Sequence, residues 1–297
     1  MAVLRRTARG LTRMRGSANI VLIPCWRRAD FLSVTLRRIA RAEKAYRQYY
    51  VFLIDEGHSD EVMRVARQFP FASEIVANEL RPMRGNSFNI LNGFAYARRI
   101  APSMKSRLVY LIEEDIWIGR DFFTFHEAVQ SRFNCFFVSA VRNQNDARTF
   151  PPRRSLVYFH HAYQSLGVSF RVEALDAIVR HHRPNFYADP AAYAAQHFPN
   201  SSLAAGFVEQ DGLIHRIVEK GHLRGAYPFV PRAYHAGFVG YNRPGRAFGG
   251  TLPERIAKLE RLTDAEANRR ALLFGDIQRC DLDKRHAPSI SLARDAP

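Results

Sequence analysis

Val109-Tyr110-Leu111-Ile112-Glu113-Glu114-Asp115 is an apolar run that ends without a break in three acids. With Leu108 it has the length and continuity of a strand covered on both faces, the pattern of parallel sheets. Three adjacent carboxylates repel one another in a low-dielectric cleft unless a cation or hydrogen bonds offset them. Hard oxygen ligands of this kind suit Mg²⁺ or Mn²⁺, and such an ion bridges a diphosphate. A solvated acidic turn is the plainer alternative, and the position at a strand end favours the ligand site.

Upstream of this stretch, strands and helices alternate. Strands are expected over 19–23, closed by Pro24, over 50–54, closed by Asp55-Glu56-Gly57, and over 74–77. Asp30, Ser59 and Ser87 open the intervening helices. A further strand is expected over 136–141. Alternation of this kind means right-handed crossovers and a mainly parallel α/β sheet. Ligands of such sheets lie beyond the carboxyl ends of the strands, which directs attention to 24–28, 55–58 and 113–115. After residue 142 the pattern becomes mixed: short strands over 156–159 and 167–170, a helix over 172–182, a Pro- and Ala-rich ordered loop over 186–200, and a helix over 210–220. A charged helix or helix pair is expected over 253–274. The chain divides into a basic flexible arm (1–17), a first half that binds the ligand (18–142), an acceptor and catalytic half of the same domain (143–250), and a helical segment with a tail (251–297).

The formal charge is +16, and most of the cations are arginine, with only five lysines in 297 residues. Two readings stand side by side: a composition that places Arg wherever a cation is tolerated, or a surface for polyanions. The arm carries Arg5, Arg6, Arg9, Arg13 and Arg15 with no acid, and reads as a polyanion-binding tail or a solvated terminus. No stretch approaches the roughly 20 apolar residues of a transmembrane helix, and the arm lacks the apolar core of a secretory signal. Cys25 and Cys135 lie in apolar surroundings and read as buried thiols; with Cys280 they show neither disulfide nor zinc spacing. The expectation is a cytoplasmic protein of a bacterial or phage-infected cell.

The strand-acid-acid-acid segment, followed by Asp121-Phe122-Phe123, resembles the DxD-type motif of GT-A glycosyltransferases. Ile23-Pro24-Cys25-Trp26-Arg27-Arg28 is similar to their opening strand and nucleotide loop. Leu53-Ile54-Asp55-Glu56-Gly57-His58-Ser59-Asp60 is similar to their second strand, and Arg84-Gly85-Asn86 with Asn89 and Asn92-Gly93 to the loop and helix after it. The resemblance covers about residues 18 to 240 and has a family-2-like, inverting look. It implies a GT-A fold, a nucleotide-sugar donor (UDP-sugar above all) and Mn²⁺ or Mg²⁺. Asp115 is then the metal ligand, with Glu113 or Glu114 meeting the ribose or a metal-bound water; the Glu-Glu-Asp spelling leaves open which acid ligates directly. Pro24, Trp26, Arg28, Asp55, Arg84, Asn89 and Arg243 are implied donor contacts. His235 fits the His that many members place after the last core strand as a further metal ligand.

Phe207-Val208-Glu209-Gln210-Asp211-Gly212 opens the helix over 210–220. Acids there are favoured by the helix dipole, by about 0.3–1 kcal/mol each, so capping is one reading. The other, by resemblance, is the base that deprotonates an acceptor hydroxyl: Asp211 first, Glu209 second. The pairs His160-His161 and His181-His182 lack metal spacing and read as surface or packing residues. Arg142, Arg148, Arg153, Arg154 and Arg246 cluster on the expected acceptor side, where a neutral sugar needs no such field. Glucosyltransferases that make base J in kinetoplastid DNA, and related phage enzymes, share the fold, so a hydroxymethylated DNA base is one expected acceptor. Phe150, Tyr158 or Tyr163 would support the flipped nucleotide. The alternatives are a surface glycan, protein or lipid-linked acceptor, or a non-catalytic nucleic-acid-binding protein. A nucleotidyltransferase ranks below these, because 24–28 contains no glycine.

Overall fold

The computed structural model describes residues 2–4, 17–55, 58–78, 85–141, 157–204, 207–228 and 231–235. Four strands, β2 (Ile20–Cys25), β3 (Tyr49–Ile54), β4 (Ser73–Ala77) and β5 (Leu108–Leu111), run parallel in the order β4-β3-β2-β5. The crossovers are α1 (Ala29–Arg41), α2 (Asp60–Gln68) and α3 (Asn86–Met104). Both sheet faces are covered, which is why the strand sequences are continuously apolar. Ile20 and Leu22 face α3 with Val51, Leu53, Leu91 and Phe94, whereas Val21 and Ile23 face α1 with Leu32, Leu36, Tyr50 and Phe52. Each fully buried side chain of this size contributes roughly 1.5–3 kcal/mol.

Beyond β5 the sheet becomes mixed. It continues through β7 (Phe137–Ser139), β8 (Val157–His160), β9 (Val168–Arg171) and β10 (Gly225–Pro228) in the order β5-β9-β7-β10-β8. Strand β9 lies antiparallel between β5 and β7, and β10 runs parallel to β7. Gly225 pairs with Phe137, and a Cβ there would sit 2.0 Å from the Phe137 ring, so the crossing requires glycine. A two-stranded ribbon of β6 (Ile116–Ile118) and β11 (Ala233–His235) stands apart from the main sheet. The remaining helices are α4 (Phe122–Arg132), α5 (Leu175–Val179), α6 (Pro184–Ala188), α7 (Pro190–His197) and α8 (Gln210–Lys220).

Several expectations are corrected. Residues 186–200 are not a loop but contain most of α6 and all of α7. Each of these helices starts with a proline at its first positions, and Asp189 caps α7 by accepting from Ala192 N at 2.9 Å. Pro24 does not end β2; the strand runs on through Cys25. Leu22 O accepts from Ile112 on the β5 side and Cys25 O from Asp55 on the β3 side, so by alternation Pro24 turns its nitrogen toward β5, past the last rung. Ala2–Leu4, within the expected arm, forms an edge strand, β1, antiparallel to β4. The expected helix over 253–274 and Cys280 lie outside the described residues, while Cys25 and Cys135 are buried free thiols. No described helix is long and apolar enough to cross a membrane.

Candidate active site

Glu113, Glu114 and Asp115 form the turn between β5 and β6, at the carboxyl edge of the parallel strands. Their backbone is fixed: Thr35 Oγ1 of α1 donates to Glu114 O at 2.7 Å, and Ile116 N donates to Glu113 O at 3.0 Å. Glu114 is buried with both oxygens engaged. Oε2 accepts from Trp26 N at 3.1 Å and Oε1 from Arg28 Nε at 2.7 Å. This carboxylate anchors the loop after β2. Burial raises Glu114 above the usual carboxylate range, and the charge of Arg28 opposes the rise.

Asp115 is 3% exposed. Its Oδ2 accepts from Arg28 Nη1 at 2.7 Å and lies 3.3 Å from His235 Nε2; its Oδ1 is buried with no hydrogen-bond partner among the described residues. Burial pushes this acid up, but the His235 hydrogen bond and the Arg28 charge outweigh it and hold Asp115 below the usual range. His235 arrives through the ribbon, in which it pairs with Ile116, the residue after Asp115. Asp115 and His235 thus give an oxygen and a nitrogen donor side by side, and an orphaned buried carboxylate oxygen fits a divalent ion. Among the described residues, no cluster of three or more His, Cys, Asp or Glu could by itself hold one, so a bound ion would need donors from elsewhere, such as diphosphate and water.

Asp211 lies in the first turn of α8, partly buried. Ser165 Oγ donates to its Oδ2 at 3.1 Å and Gln210 Nε2 faces Oδ1 at 3.4 Å, so the side chain does not cap its own helix. Burial raises Asp211 to about 6, against the pull of the Ser165 hydroxyl. Gln210 is held in turn by Ser87 in the first turn of α3: its N–H donates to Ser87 Oγ at 3.1 Å, and Ser87 Oγ donates to its Oε1 at 2.9 Å. Glu209 is the N-cap residue, is exposed and makes no side-chain cap bond. Glu113 connects the two sides. Burial raises it well above the usual range, reinforced by the charges of Asp115 and Asp211, with Arg28 and Ser165 opposing.

Asp55 ends β3 next to the loop after β2, its N–H donating to Cys25 O at 3.0 Å. Trp26 reaches the acids through its backbone; the residue is 42% exposed, with the Arg27 guanidinium 4.8 Å from its ring centroid. Pro24 and Asn89 are corrected as donor contacts. Pro24 is buried within β2. Asn89 is 1% exposed; it donates to Leu53 O at 2.9 Å and accepts from Asn78, which accepts from Asn92 at 2.5 Å, so it ties α3 to the end of β3. Tyr158 and Tyr163 are corrected as supports for a flipped base: Tyr158 stacks on Tyr227 at 5.6 Å and Tyr163 meets Phe137 edge-on at 5.1 Å, both in the core. His181 and His182 bond Tyr193 and Tyr187 at 2.8 and 2.6 Å as packing residues. Arg84, Arg142, Arg148, Phe150, Arg153, Arg154, Arg243 and Arg246 lie outside the described residues. Ser165, Ser87 and Thr35 carry no sequence motif; only the folded geometry brings them to the site.

No protein-family model and no curated protein matches the sequence. Among solved structures, a galactosyltransferase, LgtC, in complex with donor and acceptor sugar analogues is 10% identical, with 70% of this chain and 72% of that chain covered at a TM-score of 0.41. Mouse xyloside xylosyltransferase 1 is 11% identical, covering 69% and 82%, at 0.42. A cytidylyltransferase from Leptospira borgpetersenii is 10% identical, covering 61% and 71%, at 0.36. Likeness at this level carries no residue role across. Fold and site define this chain as an α/β protein with a buried acidic turn, an arginine clamp and an aspartate of raised proton affinity at the carboxyl edge of its parallel strands.

Proposed function

We propose that the protein is a metal-dependent glycosyltransferase that moves a sugar from a nucleoside diphosphate sugar, UDP-sugar first among them, to a hydroxyl acceptor with inversion. The observation that carries this reading is that Asp115, whose Oδ1 has no partner among the described residues and whose Oδ2 meets His235, and Asp211, raised to about 6, both lie close enough to Glu113 for their charges to act on it. Asp115 and His235 would hold Mn²⁺ or Mg²⁺, which when bound neutralises charge on the diphosphate leaving group. Asp211 takes the proton of the acceptor hydroxyl; a base with this affinity is mostly ionised at neutral pH yet holds a proton well enough to remove one. Ser165 and Gln210 orient its two oxygens. Asp55 and the exposed Trp26 follow neighbouring strands at the same edge and would meet the nucleoside. Release of nucleoside diphosphate from a panel of sugar donors, with and without Mn²⁺, tests the reaction; no metal-stimulated release from any donor refutes it.

The narrower proposal for the acceptor is a hydroxymethylated base in DNA, and the net charge of +16 is what supports it. Incubation of plain and hydroxymethylated DNA with the accepted donor, read by nucleoside mass spectrometry, tests it. A glycosylated nucleoside is expected; an unchanged profile while simple glycans, proteins or lipid-linked acceptors are modified refutes it. DNA binding that survives loss of Asp115 and Asp211, with no nucleotide bound, would favour the non-catalytic reading.

A further inference from the structure

We infer that Arg28 is the resident counter-cation of the acidic turn, that it must leave for a divalent ion to enter, and that a diphosphate is the anion that draws it away. The inference rests on the metal-dependent reading above. Arg28 bridges two acids, Nε to Glu114 Oε1 and Nη1 to Asp115 Oδ2, both at 2.7 Å. The side chains of the acids are 5% exposed and that of Arg28 is 28% exposed.

The two sides of this clamp differ in how they are held. The acids are anchored through their backbone, by Thr35 on Glu114 O, by Ile116 on Glu113 O, and by the pairing of Ile116 with His235. Arg28 reaches in on a long side chain from the loop after β2, its guanidinium 5.4 Å from the Phe31 ring centroid. The Arg28 backbone is held as well, its carbonyl accepting from Leu32 N at 3.0 Å, so the part that moves is the guanidinium, on a longer and more rotatable side chain than either carboxylate. Buried carboxylates require a countercharge, and a guanidinium or a divalent ion can supply it. An ion on the unpartnered Asp115 Oδ1 would stand against the guanidinium already on Oδ2 of the same carboxylate. The planar fork that fits two carboxylates fits a diphosphate equally well.

Each ligand alone therefore meets resistance. Metal alone is repelled by Arg28, and diphosphate alone finds Arg28 engaged. Together they exchange partners, so the two bind cooperatively, and each must raise the affinity of the other by the same factor.

Calorimetry on the full chain with Mn²⁺ alone, UDP or GDP alone, and both, for wild type, Arg28→Gln and Arg28→Lys, tests this. In the wild type, Mn²⁺ binding tightens about tenfold or more when nucleotide is present, a typical coupling between linked sites. Arg28→Gln binds Mn²⁺ alone more tightly than wild type, loses most of the coupling, and gains more in Tm from Mn²⁺ than wild type does. Arg28→Lys, which keeps a cation without the fork, holds Mn²⁺ alone as weakly as wild type. Tighter Mn²⁺ binding absent from Arg28→Gln, or coupling undiminished in it, overturns the inference. Nucleotide that binds no form of the protein overturns the glycosyltransferase reading and the diphosphate half of this inference; tightened Mn²⁺ alone in Arg28→Gln would still uphold the first half.

Discussion

Replacing Asp211 by Asn removes a carboxylate whose proton affinity rises from the ordinary 3.8 to about 6 on burial. That rise corresponds to about 3 kcal/mol of lost stability once the group is fully ionised in both states, because the folded protein holds the charged form less well than the unfolded chain does. The sign follows from the order of ionisation. Well below pH 3.8 the acid is neutral in both states and contributes no difference. Between 3.8 and about 6 the unfolded chain ionises first, and the penalty grows to its full size above that window. Asn keeps the shape and still accepts from Ser165, but the long 3.4 Å contact with Gln210 is lost. Allowing about 1 kcal/mol for that bond leaves a net gain of about 2 kcal/mol at pH 8. In a chain of this size the gain raises Tm by roughly 4 °C. Thermal unfolding at pH 4 and pH 8, with donor turnover measured alongside, is the assay. The expected pattern is a more stable but inactive variant at pH 8, with the gain gone at pH 4, where the ionisation penalty is small and the lost Gln210 bond leaves the variant less stable by up to about 1 kcal/mol. A variant no more stable at pH 8, or equally stabilised at both, would refute the assignment of Asp211 as a strained base.

Ser165→Ala deletes the hydroxyl that holds Asp211 down. The acidic limb of the rate profile then moves to higher pH; a limb that stays near 6 or falls contradicts the hydrogen bond's role. Asn89→Ala leaves Leu53 O and the Asn78 amide unsatisfied in the core, at about 3 kcal/mol in urea unfolding. Loss below about 1 kcal/mol would show that these groups find other partners. In the same variant, nucleotide affinity is expected to stay unchanged wherever the protein remains folded, because Asn89 lies buried at the end of β3.

The first half of the fold was legible because its strands are apolar on both faces and its helices carry one apolar stripe. Strand β3, strand β5 and helix α8 fell within a residue of their observed bounds. Helices α6 and α7 are obscured in the sequence by a Pro-rich stretch: proline breaks a helix interior, yet at a first helical position it starts a helix. The ribbon of β6 and β11 was out of reach: two three-residue strands separated by more than a hundred positions give no periodicity, yet their register sets His235 beside Asp115. The clamp was hidden for a related reason. Read alone, three adjacent acids ask for a cation, and the chain supplies one itself from Arg28, 86 and 87 positions away. The chemistry of the acids was thus readable in sequence, while the identity of their counter-ion and of Asp211's partner Ser165 depended on tertiary contact.

Crystals grown with Mn²⁺ and UDP, with anomalous scattering recorded for manganese, test the proposed donor site most directly. The metal peak is expected against Asp115 Oδ1 and His235 Nε2, bridged to the diphosphate, with Arg28 swung onto phosphate oxygen. Nucleotide seated elsewhere, or a manganese peak remote from Asp115 with Arg28 still clamped on both acids, would contradict the metal-bridged diphosphate site.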